Sequence, residues 1–145
     1  MSTVRDLMTA NPVCATCDTT LQDAARMMQR ADCGILPVLE QRRLRGVITD
    51  RDIVLRAVAK GVDTKAARVG DFLTDAVFTI SPEADCEIAM REMEARQVRR
   101  LFVVDQGQLI GVVALGDLAE SEPKVAEEVL VEVSKSPKTL AHKHL

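Results

Sequence analysis

The chain has 145 residues, of which 19 are Lys or Arg and 22 are Asp or Glu, giving a formal net charge of −3. Hydrophobic residues make up 47%, yet there is no Trp, no Tyr and only three Phe. That balance excludes a disordered chain, and it argues against a nucleic-acid binder, which needs a basic face or aromatic platforms for base stacking.

In chain order the sequence reads as one unit written twice. Residues 12–16 are extended, and a helix follows with Leu21, Ala24, Ala25 and Met28 at i, i+3, i+4 and i+7. Thr20-x-x-Asp23 is a capping box at its start. Two apolar strands, 35–39 and 44–49, are joined by a connection short enough for a hairpin. A second helix is expected from Asp50 to about Lys60, ended by Gly61. From residue 69 the pattern returns: an extended stretch at 77–81, a helix with Cys86, Ala89, Met90 and Met93 on one face and Asp85 as cap, strands 101–104 and 109–114, and a shorter helix near Gly116. At an offset of 65 residues, 4–54 align with 69–119 without a gap, and 13 of the 51 pairs are identical. Val4-Arg5-Asp6-Leu7-Met8-Thr9 returns as Val69-Gly70-Asp71-Phe72-Leu73-Thr74. The expected fold is therefore α/β, two tandem β-α-β-β-α repeats packed about a pseudo-two-fold axis, because one unit alone is too small to bury both faces of its sheet. The expected organisation is repeat 1 at 3–60, a linker at 61–68, repeat 2 at 69–120, and an amphipathic helix with a mobile tail at 121–145. In that last segment Val125, Val129, Leu130 and Val133 form a stripe that suits either the chain's own module or a second subunit.

Catalytic equipment is sparse. The two histidines are His142 and His144, so residues 1–141 have no imidazole for general base work, and neither HExxH, GxSxG nor a Walker A loop occurs. The expectation is a protein that is not an enzyme. No apolar run approaches the roughly 18 residues of a membrane span, and residues 1–6 lack the basic head and apolar core of a secretory signal. A cytoplasmic location is the default. Cys14-Ala15-Thr16-Cys17 is a CxxC. It permits a redox or metal role for Cys14 and Cys17, but structural zinc asks for four ligands, and both cysteines are absent from the second copy, where Thr79 and Pro82 stand. Cys33 and Cys86 read as core residues, and His142 and His144 as either a metal site or a mobile end.

Gly46-Val47-Ile48-Thr49-Asp50-Arg51-Asp52, with Ile35-Leu36-Pro37-Val38 before it and Val4–Thr9 at the start, resembles the CBS domain, the regulatory repeat named after cystathionine β-synthase. Val98-Arg99-Arg100-Leu101-Phe102-Val103 in the second copy resembles the same family's strand. The resemblance spans about 3–120 and is similar to that of small stand-alone bacterial CBS pairs of the hypoxic response type. It implies clefts between repeats that bind adenosine-containing ligands, with AMP, ADP or ATP foremost, and no required cofactor. It also implies homodimerisation.

Carried onto this chain, Thr49 and Asp52 fall on the positions that grip the ribose, and a carboxylate can accept hydrogen bonds from two vicinal hydroxyls. The same two residues also spell a plain capping box. In the second copy Asp117 is kept but Ala114 replaces the hydroxyl residue, so the two sites should differ in affinity. Arg99 and Arg100, where the first copy has Gly34 and Ile35, are candidates to meet phosphates together with Arg51, since a guanidinium fork binds two oxygens. The bland alternative is that Arg96, Arg99 and Arg100 form a solvated surface. Val13, Ala15 and Pro37 are candidates for the adenine wall of the first cleft, and Val77, Ile80 and Phe102 for the second, each of them equally a candidate for the core. Two further functions compete with nucleotide binding: a partner-binding homodimer with weak or empty clefts, and a sensor built on Cys14 and Cys17.

Overall fold

The computed structural model describes residues 2–135. In chain order these are α1 (Val4–Leu7), β1 (Thr9–Ala10), β2 (Ala15–Thr16), α2 (Leu21–Ala31), β3 (Ile35–Glu40), β4 (Arg43–Thr49) and α3 (Asp50–Arg56). After short 3-10 turns at Val58–Lys60 and Val69–Asp71 come β5 (Thr79–Ile80), α4 (Cys86–Arg96), β6 (Arg100–Asp105), β7 (Gln108–Ala114), α5 (Leu115–Leu118) and α6 (Pro123–Lys135). The expected second helix of repeat 1 is interrupted: α3 stops at Arg56, and the 3-10 turn that follows ends on Gly61 at φ 72°. His142 and His144 lie outside the described residues.

The chain forms two compact units. One is Val13–Val77, and the other joins the stretch through Pro12 to everything from Phe78 onward. In the first, β2 runs parallel to β3, and β3 pairs antiparallel with β4. In the second, β5 runs parallel to β6, β6 pairs antiparallel with β7, and β1 pairs antiparallel with β7. The 65-residue offset holds down to the irregularities. The β3–β4 register shifts between Val38 and Leu39, and the β6–β7 register between Val103 and Val104.

Each opening motif packs in the unit built from the other copy's hairpin. Thr9 pairs with Val112, and its counterpart Thr74 pairs with Val47. Val4 is buried in the core around α4, and Val69 in the core around α2. The backbone follows the same exchange: Val4 N–H donates to the Ala84 carbonyl at 2.8 Å, and Val69 N–H to the Thr19 carbonyl at 2.8 Å.

Glycine makes this exchange possible on both sides. A Cβ at Gly46 would stand 2.4 Å from the Thr74 carbonyl oxygen, and one at Gly111 would stand 2.6 Å from Met8 Sδ.

Each core lies between its helices and one face of its hairpin. Leu21, Met28, Leu36, Val38 and Ile48 fill the first, and Met90, Met93, Leu101, Val113 and Leu118 the second. Each such side chain contributes about 1.5–3 kcal/mol by leaving water. The apolar spacing read from sequence selects these faces, because i, i+3, i+4, i+7 positions share one side of a helix. Of the cysteines placed in the core, Cys86 is buried and Cys33 only partly so, with its thiol donating to the Ile35 carbonyl at 3.3 Å.

Val125 and Val129 of the stripe after residue 120 pack on their own unit, and the side chains of Leu130 and Val133 lie outside the described residues. Ala126 and Val129 of α6 are buried against the α4–α5 core, and Glu128 pairs with Arg91 of α4 at 3.1 Å.

Candidate ligand-binding site

Thr49 is the last residue of β4 and the N-cap of α3. Its extended backbone, φ −113° and ψ 160°, turns the chain from strand into helix and leaves the first helical N–H groups without partners inside the helix. Asp52 N–H donates to Thr49 Oγ1 at 3.0 Å, and Thr49 N–H donates to Asp52 Oδ2 at 3.1 Å. The box is complete and reciprocal. The bland reading of these residues is thus realised, but it does not use up the carboxylate. A carboxylate offers about four lone-pair sites, and Asp52 is only half-buried.

A third residue joins them that the sequence reading did not single out. Thr74 Oγ1 donates towards Asp52 Oδ2 at 3.3 Å and towards Oδ1 at 3.4 Å. The bridge between Val47 and Thr74 brings it there, with N–H···O distances of 2.9 and 2.8 Å in the two directions. Its signal was present in the sequence, since Thr74 is the copy of Thr9 in the repeated motif. Arg51 follows on α3 and is exposed.

At the matching place in the other unit, Ala114 N–H donates to Asp117 Oδ2 at 3.0 Å. Ala114 has no side-chain acceptor to return the bond, so this box is half-made. Asp117 is exposed, where Asp52 is half-buried.

Arg99 and Arg100 stand at the entry to β6, with Arg99 half-buried and Arg100 exposed. They line a cavity of about 680 Å³ with Ala114, Leu115, Gly116 and Ala119, and with Pro123, Ala126 and Glu127 of α6. That volume lies in the range of small-ligand pockets. Arg96 takes another course, standing over the Phe78 ring at 5.1 Å and reaching Glu92 at 3.5 Å. So Thr49, Arg51 and Asp52 stand together in the unit of residues 13–77, and Arg99, Arg100 and Asp117 belong to the other.

The six apolar candidates behave differently from one another. Ala15, Pro37 and Phe102 are buried and serve packing; Val77 and Ile80 are half-buried. Val13 is 49% exposed and free to meet a ligand.

Cys14 and Cys17 flank strand β2, whose pairing fixes Ala15 opposite Val38 and Thr16 opposite Leu39. Burial pushes both thiols above their ordinary range, and the neighbouring Glu40 carboxylate raises Cys17 further. Among the described residues no group of three or more His, Cys, Asp or Glu side chains is placed to hold a metal ion.

Comparison with known proteins agrees with the repeat. The CBS domain model matches twice, at residues 4–58 and 69–123. CBS domain-containing protein YhcV of Bacillus subtilis is 40% identical over 122 residues, 84% of this chain and 86% of its own. The crystal structure of Hypoxic Response Protein I with two coordinated zinc ions is 35% identical, covers 82% of this chain and 98% of its own, and superposes with a TM-score of 0.73. That of CBSX2 in complex with AMP is 27% identical, covers 86% and 98%, and gives a TM-score of 0.70. With a twice-matched family model over most of its length and a complete strand-to-helix box in its first copy, the chain belongs to the CBS-domain family, as a tandem CBS pair.

Proposed function

We propose that this CBS pair is a non-catalytic regulatory module that binds an adenine nucleotide, AMP, ADP or ATP. The residues proposed for the ribose are Thr49 and Asp52, and those proposed for phosphate are Arg99, Arg100 and Arg51. The observation that supports this most is the β4–α3 junction, where Asp52 keeps acceptor capacity after closing the capping box. The AMP-bound relative CBSX2 supports the ligand class. Asp117 marks a second, weaker position, because Ala114 gives up one polar contact worth about 1 kcal/mol. Ligand binding would act by favouring one of two conformational or oligomeric states, through differential affinity.

Homodimerisation belongs to the same proposal. Val54, Leu55 and Val58 are 53%, 45% and 59% exposed on one short stretch, more apolar surface than α3 needs for its own packing. A chain mass in solution twice that of the 15.9 kDa protomer is the expected result.

A metal-sensing alternative draws on the zinc-holding relative and on Cys14 and Cys17. Here burial raises both thiols above their ordinary range, which disfavours the thiolate that a metal needs and favours the nucleotide reading.

The test is a set of melting curves with AMP, ADP, ATP, S-adenosylmethionine and NADH at millimolar concentration. A ligand at about 100 times its dissociation constant stabilises by about 2.7 kcal/mol. A rise with an adenine mononucleotide is expected; no rise with any of the five would refute the proposal.

A further inference from the structure

The cavity behind Arg99 and Arg100 has a wall the repeat itself does not provide. Pro123, Ala126 and Glu127 all come from α6, which lies after the second CBS match ends at residue 123, save for Pro123 itself. The helix is seated in one rotational setting. Ala126 is 8% exposed and Val129 fully buried, while Glu128 is drawn outward to Arg91 at 3.1 Å. Rotating α6 to withdraw Glu127 would expose both apolar residues. Glu127 therefore stays in the lining of a cavity that Arg99 and Arg100 also line.

The two carboxylates side by side on α6 have different duties. Glu128 is spent on Arg91. Among the described residues neither Glu127 nor Arg100 takes part in an ion pair. Glu127 thus offsets part of the positive potential of the cavity without closing an ion pair with Arg100. An anion entering there feels attraction from the arginines and repulsion from this carboxylate, and both grow with each added phosphoryl group, so Glu127 takes more from a triphosphate than from a monophosphate.

We propose that Glu127 is the charge-selectivity residue of this cavity, so that the C-terminal helix reduces the advantage that the two arginines give to ligands with three phosphates over those with one. This rests on the reading of Arg99 and Arg100 as phosphate contacts. It goes beyond that reading by assigning a role to a segment outside the CBS repeats.

The experiment is calorimetric titration of the full chain with AMP and with ATP, in the wild type and in Glu127→Gln. Glu127 is exposed, so the isosteric change leaves the core intact, and circular dichroism of each variant checks this. The expected result is tighter binding of both nucleotides, with a gain for ATP about fivefold larger than the gain for AMP, the size of one screened charge interaction near a surface. Glu127→Lys should move ATP further in the same direction. A wild type that binds nucleotide, with the same AMP-to-ATP ratio in all three proteins, would overturn the role of Glu127 and leave the nucleotide proposal standing. A wild type that binds neither ligand would overturn both.

Discussion

The two CBS repeats share a framework and differ where chemistry is expected. Gly46 and Gly111 occupy matching positions, each giving passage to the other copy's opening motif. Asp52 and Asp117 both accept from the residue that ends the preceding strand. Around those fixed points the polar groups diverge. The unit of residues 13–77 has Thr49, Arg51 and a bonded Thr74; the other has Ala114, Gly116 and, paired across the hairpin from Ala114, Arg100 with Arg99 before it, in place of Ile35 and Gly34. Close backbone approach tolerates no variation, because a Cβ in that space meets backbone. A binding contact can be lost in one copy when the other retains it. The difference teaches that what both copies keep, the Asp52 and Asp117 carboxylates included, reads as the shared framework, and that what only one keeps marks where the two sites part.

The largest expected effect tests the shared framework. Gly46→Ala places a methyl 2.4 Å from a backbone oxygen that cannot yield. It should cost about 3 kcal/mol, at the upper end of overpacking. Gly111→Ala meets first the flexible Met8 side chain, with the Thr9 carbonyl at 3.0 Å, and should cost about half as much. Urea unfolding of both variants checks the order, and a reversed order would break the comparison.

Next is the box itself. Asp52→Ala removes the partner of Thr49 N–H and of Thr74 Oγ1, and should destabilise by about 1–2 kcal/mol. Asp117→Ala loses one exposed bond and should cost about 0.5 kcal/mol. The converse change, Ala114→Thr, completes the second box and should add about 1 kcal/mol of stability. Equal losses for Asp52→Ala and Asp117→Ala would show that the half-made box matters as much as the complete one.

A smaller effect lies in the hairpin turns. Both are two-residue connections with positive φ: Gln41 and Arg42 at 52° and 68°, Gln106 and Gly107 at 51° and 80°. Glycine suits the second turn position and arginine does not. Arg42→Gly should therefore stabilise the first repeat by about 0.5–1 kcal/mol in thermal unfolding. The smallest test is chemical: Cys14 and Cys17, both raised above the ordinary thiol range, should alkylate more slowly at pH 8 than a free cysteine, and more readily as the pH rises through their pKa.

Most of the fold was legible because the duplication doubles every signal. Apolar periodicity marked α2, α4 and both hairpins, and Thr20 caps α2 as its sequence suggested, with Asp23 N–H donating to Thr20 Oγ1 at 3.1 Å. Asp85 stands at the N-cap of α4 but makes no side-chain capping bond among the described residues. One-turn elements such as α1 escape periodicity, since four residues contain too little of a 3.6-residue period. The exchange of Val4 and Val69 between units also escaped, because local pattern contains no information on which copy an edge segment will meet. In the site, Thr49 and Asp52 were legible through their spacing. Thr74 recurs as the copy of Thr9, but its contact with Asp52 is made across 22 residues by a single bridge, which the motif alone does not reveal. Glu127 looked like one more charge on an amphipathic helix until the cavity placed it beside the arginines.

The central claim is that the ligand site follows the copy with the complete box. Its most direct test is AMP titration by calorimetry into the wild type, Asp52→Ala and Asp117→Ala, each confirmed as folded. The account predicts binding to the wild type, loss of about tenfold or more in affinity for Asp52→Ala, from removing hydrogen bonds to a charged acceptor, and little change for Asp117→Ala. Binding that survives in Asp52→Ala and disappears in Asp117→Ala would contradict it.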